Sequence, residues 1–214
     1  MNKKDVPSWL TNIDKNLLSV LTAVDFKRIL PGDVVHQGIA MKIAEQTYCD
    51  ISDLASCDQN CVVAILDGIT DPHNVGAIIR TAAAFKVHCL ILAEKSSCKI
   101  TGAVAKAASG GLENTSICVV KNLSQAIGIL KSYGFWIVSL CEKGDTFFHE
   151  LDLKGKTCLV FGSENDGIRR LQKENSDFIA KLPTNPNFPV LNVSASAAIA
   201  FYEVSRQNNS VGKR

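Results

Sequence analysis

No run of about eighteen or more apolar residues, the length a membrane-spanning helix needs, occurs in the chain. The longest apolar stretches, such as Cys61–Leu66 and Cys89–Ala93, have the length of buried strands. Behind Asn2, Lys3, Lys4 and Asp5 there is neither an apolar segment nor a small-residue cleavage pattern, so no secretion signal is expected. Charge of one sign is also scarce. Twenty-three basic side chains stand against 21 acidic ones, a net charge of +2, which excludes a densely polybasic domain but permits a nucleic-acid partner. No internal repeat or low-complexity segment is present. No Gly-x-Gly-x-x-Gly follows the first strand-like run, which argues against a Rossmann-type nucleotide oxidoreductase. What remains is a globular chain, 46% apolar, large enough for a sizeable core and expected to be soluble and cytoplasmic, with no membrane partner.

Cysteine, by contrast, is plentiful, with eight in 214 residues. Cys57 and Cys61 are four apart, but no second Cys/His pair at ligand spacing follows closely, so no metal is expected. Cys89, Cys118 and Cys158 lie within apolar runs, where a free thiol behaves as a small hydrophobe. Buried free thiols are the expectation, as in a reducing compartment.

Strand-like and helix-like segments alternate from Val62 onward. Strands are predicted at 62–66, 88–93, 117–120, 135–140, 157–161 and 178–182. Helices are predicted from Asn74 or Val75 to about Phe85, at 102–108, at 123–133 with Gly134 as the stop, at 169–176, and at 192–207. A weaker helical pattern covers 13–24, and Pro31-Gly32 signals a turn. Strands separated by helices of this length imply an α/β fold, a parallel sheet with helices on both faces. Ligands of such sheets sit at the carboxyl ends of strands, which points to the loops after Leu66, Phe161 and Leu182.

Each of these loops carries a motif. The first runs Asp67-Gly68-Ile69-Thr70-Asp71-Pro72-His73-Asn74-Val75-Gly76, with Arg80 farther along the helix. Asn74 reads as the N-cap, and Arg80 as either a site residue or a snorkelling side chain on a core helix. The second is Phe161-Gly162-Ser163-Glu164-Asn165-Asp166-Gly167, a tight turn whose backbone amides suit an adenine edge, a ribose or a carboxylate. Glu164 could equally be a solvated turn residue. The third, 182–198, has three prolines in its loop, Asn192 as a cap, and a helix opening on small residues. That final helix is densely apolar, which suggests burial against a second subunit as well as the core.

Together, in this order and at these strand ends, the three motifs resemble those of the SpoU/TrmH family of RNA 2′-O-ribose methyltransferases, over about 34–207. Val35-His36-Gln37-Gly38-Ile39-Ala40 and Asp71-Pro72-His73-Asn74 further resemble the subgroup that methylates a guanosine ribose of bacterial large-subunit ribosomal RNA. The resemblance implies a deep trefoil knot near the C-terminus, S-adenosylmethionine as cofactor, an RNA substrate and a homodimer whose sites draw on both subunits. By position it implies that Gly162, Leu182 and Leu191 contact the cofactor. It assigns catalytic roles to Arg80, Glu164 and Asn192, supported by Asn74. A guanidinium holds its proton too tightly to serve cheaply as a base, so a clamp on phosphate and developing alkoxide is the expected role of Arg80. Val190 stands where the family usually has serine, and Thr184 where it usually has methionine.

The expected organisation is therefore a remnant of an N-terminal RNA-binding domain with its linker at 1–41, a catalytic domain at 42–207, and a flexible tail at 208–214. The expected reaction is methyl transfer from S-adenosylmethionine to a ribose 2′-hydroxyl, that of a guanosine of 23S ribosomal RNA. A transfer-RNA substrate, or a catalytically weakened RNA-binding dimer that Val190 would favour, are the open alternatives.

Overall fold

The computed structural model describes residues 14–30, 32, 36, 38–42, 46–163 and 167–208. The chain divides into two compact units, Met1–Glu45 and Gln46–Arg214. In the first, the helix predicted over 13–24 is displaced: a 3-10 turn covers Lys15–Leu17, and helix α1 spans Ala23–Ile29. Thr22 sets that start, because its side chain accepts from the Asp25 N–H while the Asp25 carboxylate accepts from the Thr22 N–H. Phe26 stacks on His36 with ring centroids 4.6 Å apart.

The second unit is a sheet of seven strands: β1 (Val62–Asp67), β2 (Cys89–Ala93), β3 (Ser116–Val120), β4 (Trp136–Leu140), β5 (Thr146–Phe147), β6 (Thr157–Gly162) and β7 (Phe178–Lys181). Their spatial order is β3-β2-β1-β6-β4-β7-β5, and every neighbouring pair is parallel. Among the described residues, five α-helices accompany them: α2 (Pro72–Ala84), α3 (Gly102–Ala108), α4 (Leu123–Ser132), α5 (Arg170–Glu174) and α6 (Val193–Asn208).

Alternation along the central strands divides the interior into two cores. Ala64, Leu66, Leu90, Leu92, Leu159 and Phe161 face one way and pack with Val75, Ile78 and Ile79 of α2 and Ala197, Phe201 and Val204 of α6. Val63, Ile65, Cys89, Ile91, Cys158 and Val160 face the other way, onto Leu123, Ile127 and Leu130 of α4. Strands covered on both faces must be apolar at nearly every position, which is why Val62–Leu66 and Cys89–Ala93 stand out as continuous runs. Phe161 meets Phe201 edge-on, centroids 5.6 Å apart, and fixes α6 against β6.

The start of α2 differs from the sequence expectation. Its N-cap is Asp71, whose carboxylate accepts from the His73 N–H at 3.0 Å, with Pro72 at the first helical position. Asn74 sits within the first turn, so its side chain is available to another element. Helix α5 is also shorter than predicted, five residues from Arg170. No helix among the described residues is long and apolar enough to cross a membrane.

Candidate active site

Strands β1 and β6 are neighbours, with Asp67 in register with Gly162, so the first and second motifs leave the sheet side by side. The chain lays β2 and β3 to one side of β1, and β6, β4 and β7 to the other. At such a reversal the connecting loops diverge and leave a crevice at the carboxyl ends of the strands.

Two clefts open there. The first, about 460 Å³, is bounded by the loop after β4 with Glu142 and Lys143, by Gly162 at the end of β6, and by Leu182, Val190 and Leu191. The second, about 370 Å³, is bounded by Asp67, Asp71, Asn74, Ser96 and Arg169. Ser163, Gly167 and Val193 belong to the walls of both, so the clefts share a partition.

Gly162, Leu182 and Leu191, matched by sequence to cofactor contacts, thus line one cleft. At Gly162 a Cβ would collide with the backbone of Gly167 and Ile168, so only glycine lets the chain fold back over the strand end. The third loop is held from within: Thr184 Oγ1 donates to the Pro189 carbonyl at 3.2 Å, and the Asn187 N–H to Asn185 Oδ1 at 2.9 Å. Thr184, in the place of the usual methionine, closes this loop. Val190, at 60% exposure, presents an apolar wall where a serine would offer a hydroxyl.

Asn192 joins the first and third motifs. Its Oδ1 accepts from the Ser194 N–H at 2.8 Å and from Ser194 Oγ at 2.6 Å, capping α6 as predicted, while its Nδ2 donates to Asn74 Oδ1 at 3.0 Å. Beneath the second cleft, the buried Asp67 carboxylate accepts from the Arg169 N–H at 3.1 Å through Oδ2. Its Oδ1 lies 3.4 Å from Arg169 Nε, an ion-pair contact too long for a good hydrogen bond. This pair locks the turn after β6 to the end of β1. Lys143 and Lys173 add positive charge to the first cleft, and Arg169 to the second.

Arg80 is not brought to either cleft. It is exposed on α2, and its backbone packs against Gly111, where a Cβ would come within 2.9 Å of Arg80 Cα. Glu164 lies outside the described residues. Sequence reasoning overlooked the Asp67–Arg169 pair, Ser163 as a shared wall, and Lys143; the first had a trace in the Asp-Gly step that ends β1.

The SpoU rRNA Methylase family model matches residues 61–202. The chain is 40% identical over 179 residues to the 23S rRNA (guanosine-2'-O-)-methyltransferase RlmB of Coxiella burnetii, which covers 82% of this chain and 72% of that one. It is 41% identical over 176 residues to a Synechocystis sp. protein named as an uncharacterized tRNA/rRNA methyltransferase, covering 80% of this chain and 46% of that one. The chain thus spans about half the length of the Synechocystis relative. The solved structure of an AdoMet-bound rRNA methyltransferase from Sinorhizobium meliloti has the same fold, with a TM-score of 0.70 at 24% identity over 76% of this chain and 62% of that one.

Proposed function

Because the chain belongs to the SpoU rRNA methylase family, we propose that it methylates the 2′-hydroxyl of an RNA ribose, a guanosine of 23S ribosomal RNA, with S-adenosylmethionine as donor. The observation that carries this reading is the pair of clefts with one shared wall, with Asn74 of the second cleft hydrogen-bonded to Asn192, which stands between the wall residues Leu191 and Val193. The first cleft falls in the roughly 300–1,000 Å³ range of small-molecule sites and is the proposed cofactor pocket. Its floor at the end of β6 is formed by Gly162, over which Gly167 and Ile168 fold back, with Leu182 and Leu191 among its walls. The second cleft receives the ribose, with Asn74 and Asn192 orienting it toward the partition.

When bound, S-adenosylmethionine supplies a methyl group already activated by its sulfonium, so the protein's task is to position the hydroxyl and stabilise its developing negative charge. Arg80 is the proposed clamp on phosphate and alkoxide. Since it is exposed and lines neither cleft of its own chain, it serves the site of a second subunit in a homodimer. The exposed Phe188, Ile199 and Tyr202 on and before α6 form the proposed contact between subunits. Glu164 is proposed as a further polar catalytic group. The loops between β6 and α6 are read as the deep trefoil knot of the family, in a catalytic domain spanning 42–207. Residues 1–41, with Lys27 and Arg28 on α1, contribute to RNA contact in the cytoplasm.

Two experiments test this. Calorimetric titration should show S-adenosylmethionine and S-adenosylhomocysteine binding and no binding of nicotinamide dinucleotides. Mapping of 2′-O-methylation in total RNA with and without the gene should remove one guanosine mark from 23S ribosomal RNA; loss of a transfer-RNA mark instead would reassign the substrate. Val190 favours one second reading, a catalytically weakened RNA-binding dimer. Cofactor binding without any lost methylation would establish it.

A further inference from the structure

At the opposite, amino-terminal edge of the sheet, three side chains converge. The Sγ atoms of Cys57 and Cys61 and a ring nitrogen of His88 all lie within 4.8 Å of one another. The backbone holds each in place. Cys57 ends the 3-10 helix Ile51–Ser56, its N–H donating to the Leu54 carbonyl, and the chain then turns so that the Cys61 N–H donates to Asp58 at 3.1 Å. Cys61 immediately precedes β1 and His88 immediately precedes β2. The His88 N–H donates to the Val62 carbonyl at 2.8 Å, and the His88 carbonyl accepts from the Ser116 N–H at 3.4 Å. Parallel pairing of β1 with β2 is therefore what sets the imidazole beside the two thiols.

We propose that Cys57, Cys61 and His88 form a zinc(II) site that ties the turn before β1 to the start of β2. The donor set is the main support. Two cysteines separated by three residues lie within the C-x₂₋₄-C spacing of zinc ligands, and sulfur with imidazole nitrogen is a mixture that zinc favours. Zn–S bonds near 2.3 Å and Zn–N bonds near 2.0–2.1 Å place tetrahedral donors roughly 3.5–3.8 Å apart, so the trio needs only a small contraction to enclose an ion. Burial grades across the site, with Cys61 buried, Cys57 half-buried and His88 exposed. An ion can enter from the His88 side, and three protein donors leave one tetrahedral position for water. No residue of the two clefts takes part, so the site acts on the fold and is independent of the methyl-transfer reading.

The test uses the full chain, purified with a reductant, stripped by chelator and titrated with cobalt(II), then zinc(II). One equivalent of cobalt should bind with a thiolate-to-cobalt charge-transfer band and the d–d bands of a tetrahedral ion, and zinc should displace it. Cys57→Ser should abolish that spectrum, His88→Ala should weaken binding roughly tenfold or more, and Cys98→Ser should change neither. Zinc should raise the melting temperature of the wild type and leave that of Cys57→Ser unmoved. Because Cys57 is only half-buried, this variant avoids the folding risk of replacing the buried Cys61. A folded wild type with no thiolate–cobalt band would overturn the proposal. So would an unchanged spectrum in Cys57→Ser, which would move the metal to other thiols.

Discussion

The side-chain amide of Asn192 donates to the side-chain oxygen of Asn74 across 3.0 Å, joining the cap of α6 to the first turn of α2. One residue thereby caps a helix and aligns a second motif, and the two tasks separate experimentally.

Asn192→Ala should lose about 1 kcal/mol of stability, the worth of a helix cap, and most of its turnover. Asn74→Ala leaves the cap intact and should spare stability more than activity. Because the side chains touch, the double variant should depart from additivity by about 0.5 kcal/mol or more. Urea unfolding and methyl transfer to ribosomal RNA fragments, run on all four proteins, supply the cycle. Strict additivity in both readouts would dissolve the bridge as a functional unit.

Arg80→Lys keeps the charge and loses the planar fork. Turnover should fall by roughly two orders of magnitude, the scale of one lost transition-state donor, with S-adenosylmethionine affinity unchanged. Mixing Arg80→Lys subunits with Asn192→Ala subunits should restore part of the activity, since one site of each mixed dimer then has both native residues. Absence of recovery would place Arg80 in the site of its own chain.

Val190→Ser adds a hydroxyl at the rim of the first cleft. An exposed position tolerates such a change within about 0.5 kcal/mol, so melting should be unaltered while turnover rises. Unchanged turnover would show that this chain performs its reaction without that group.

The C-terminal end of α6 is fastened by Gln207, whose Oε1 accepts from the Leu153 N–H at 2.9 Å and whose Nε2 donates to the Leu151 carbonyl at 3.1 Å. Gln207→Ala should cost about 1–3 kcal/mol, because Leu153 loses its acceptor in a partly buried setting. Nearby, the Arg206 guanidinium holds the Glu203 carboxyl below its ordinary value. A depressed carboxylate contributes stability above the unfolded carboxylate range, and that contribution disappears as pH falls through the folded value. The difference in unfolding free energy between wild type and Glu203→Gln should therefore be present at neutral pH and vanish in acid.

The sheet was legible because its strands are buried on both faces and leave continuous apolar runs such as Val62–Leu66. Strand β5, two residues at Thr146–Phe147, is too short to carry a periodic signal. Asp71 was overlooked as the cap of α2 because Asn74 offers the same chemistry three residues later; Pro72 at the first helical position was the discriminating residue. The cleft residues Gly162, Leu182 and Leu191 were found through motif order, whereas the Asp67–Arg169 pair joins positions that only the β1–β6 register brings together. His88 escaped attention beside Cys57 and Cys61 for the same reason: adjacency across parallel strands leaves no spacing along the chain.

The position of β6 between β1 and β4 has a consequence for the order in which the molecule can be made. A nascent chain emerging from the ribosome can pair β1 with β2 and β2 with β3 early, but the other edge of β1 must wait for Thr157–Gly162. During that interval a strand that is apolar from Val62 to Leu66 presents unsatisfied backbone groups along one side, and its eventual partner is distant in sequence. Release of a fragment that stops short of residue 157 would leave that edge open permanently, so termination before Thr157 yields an aggregation-prone species rather than a smaller folded domain.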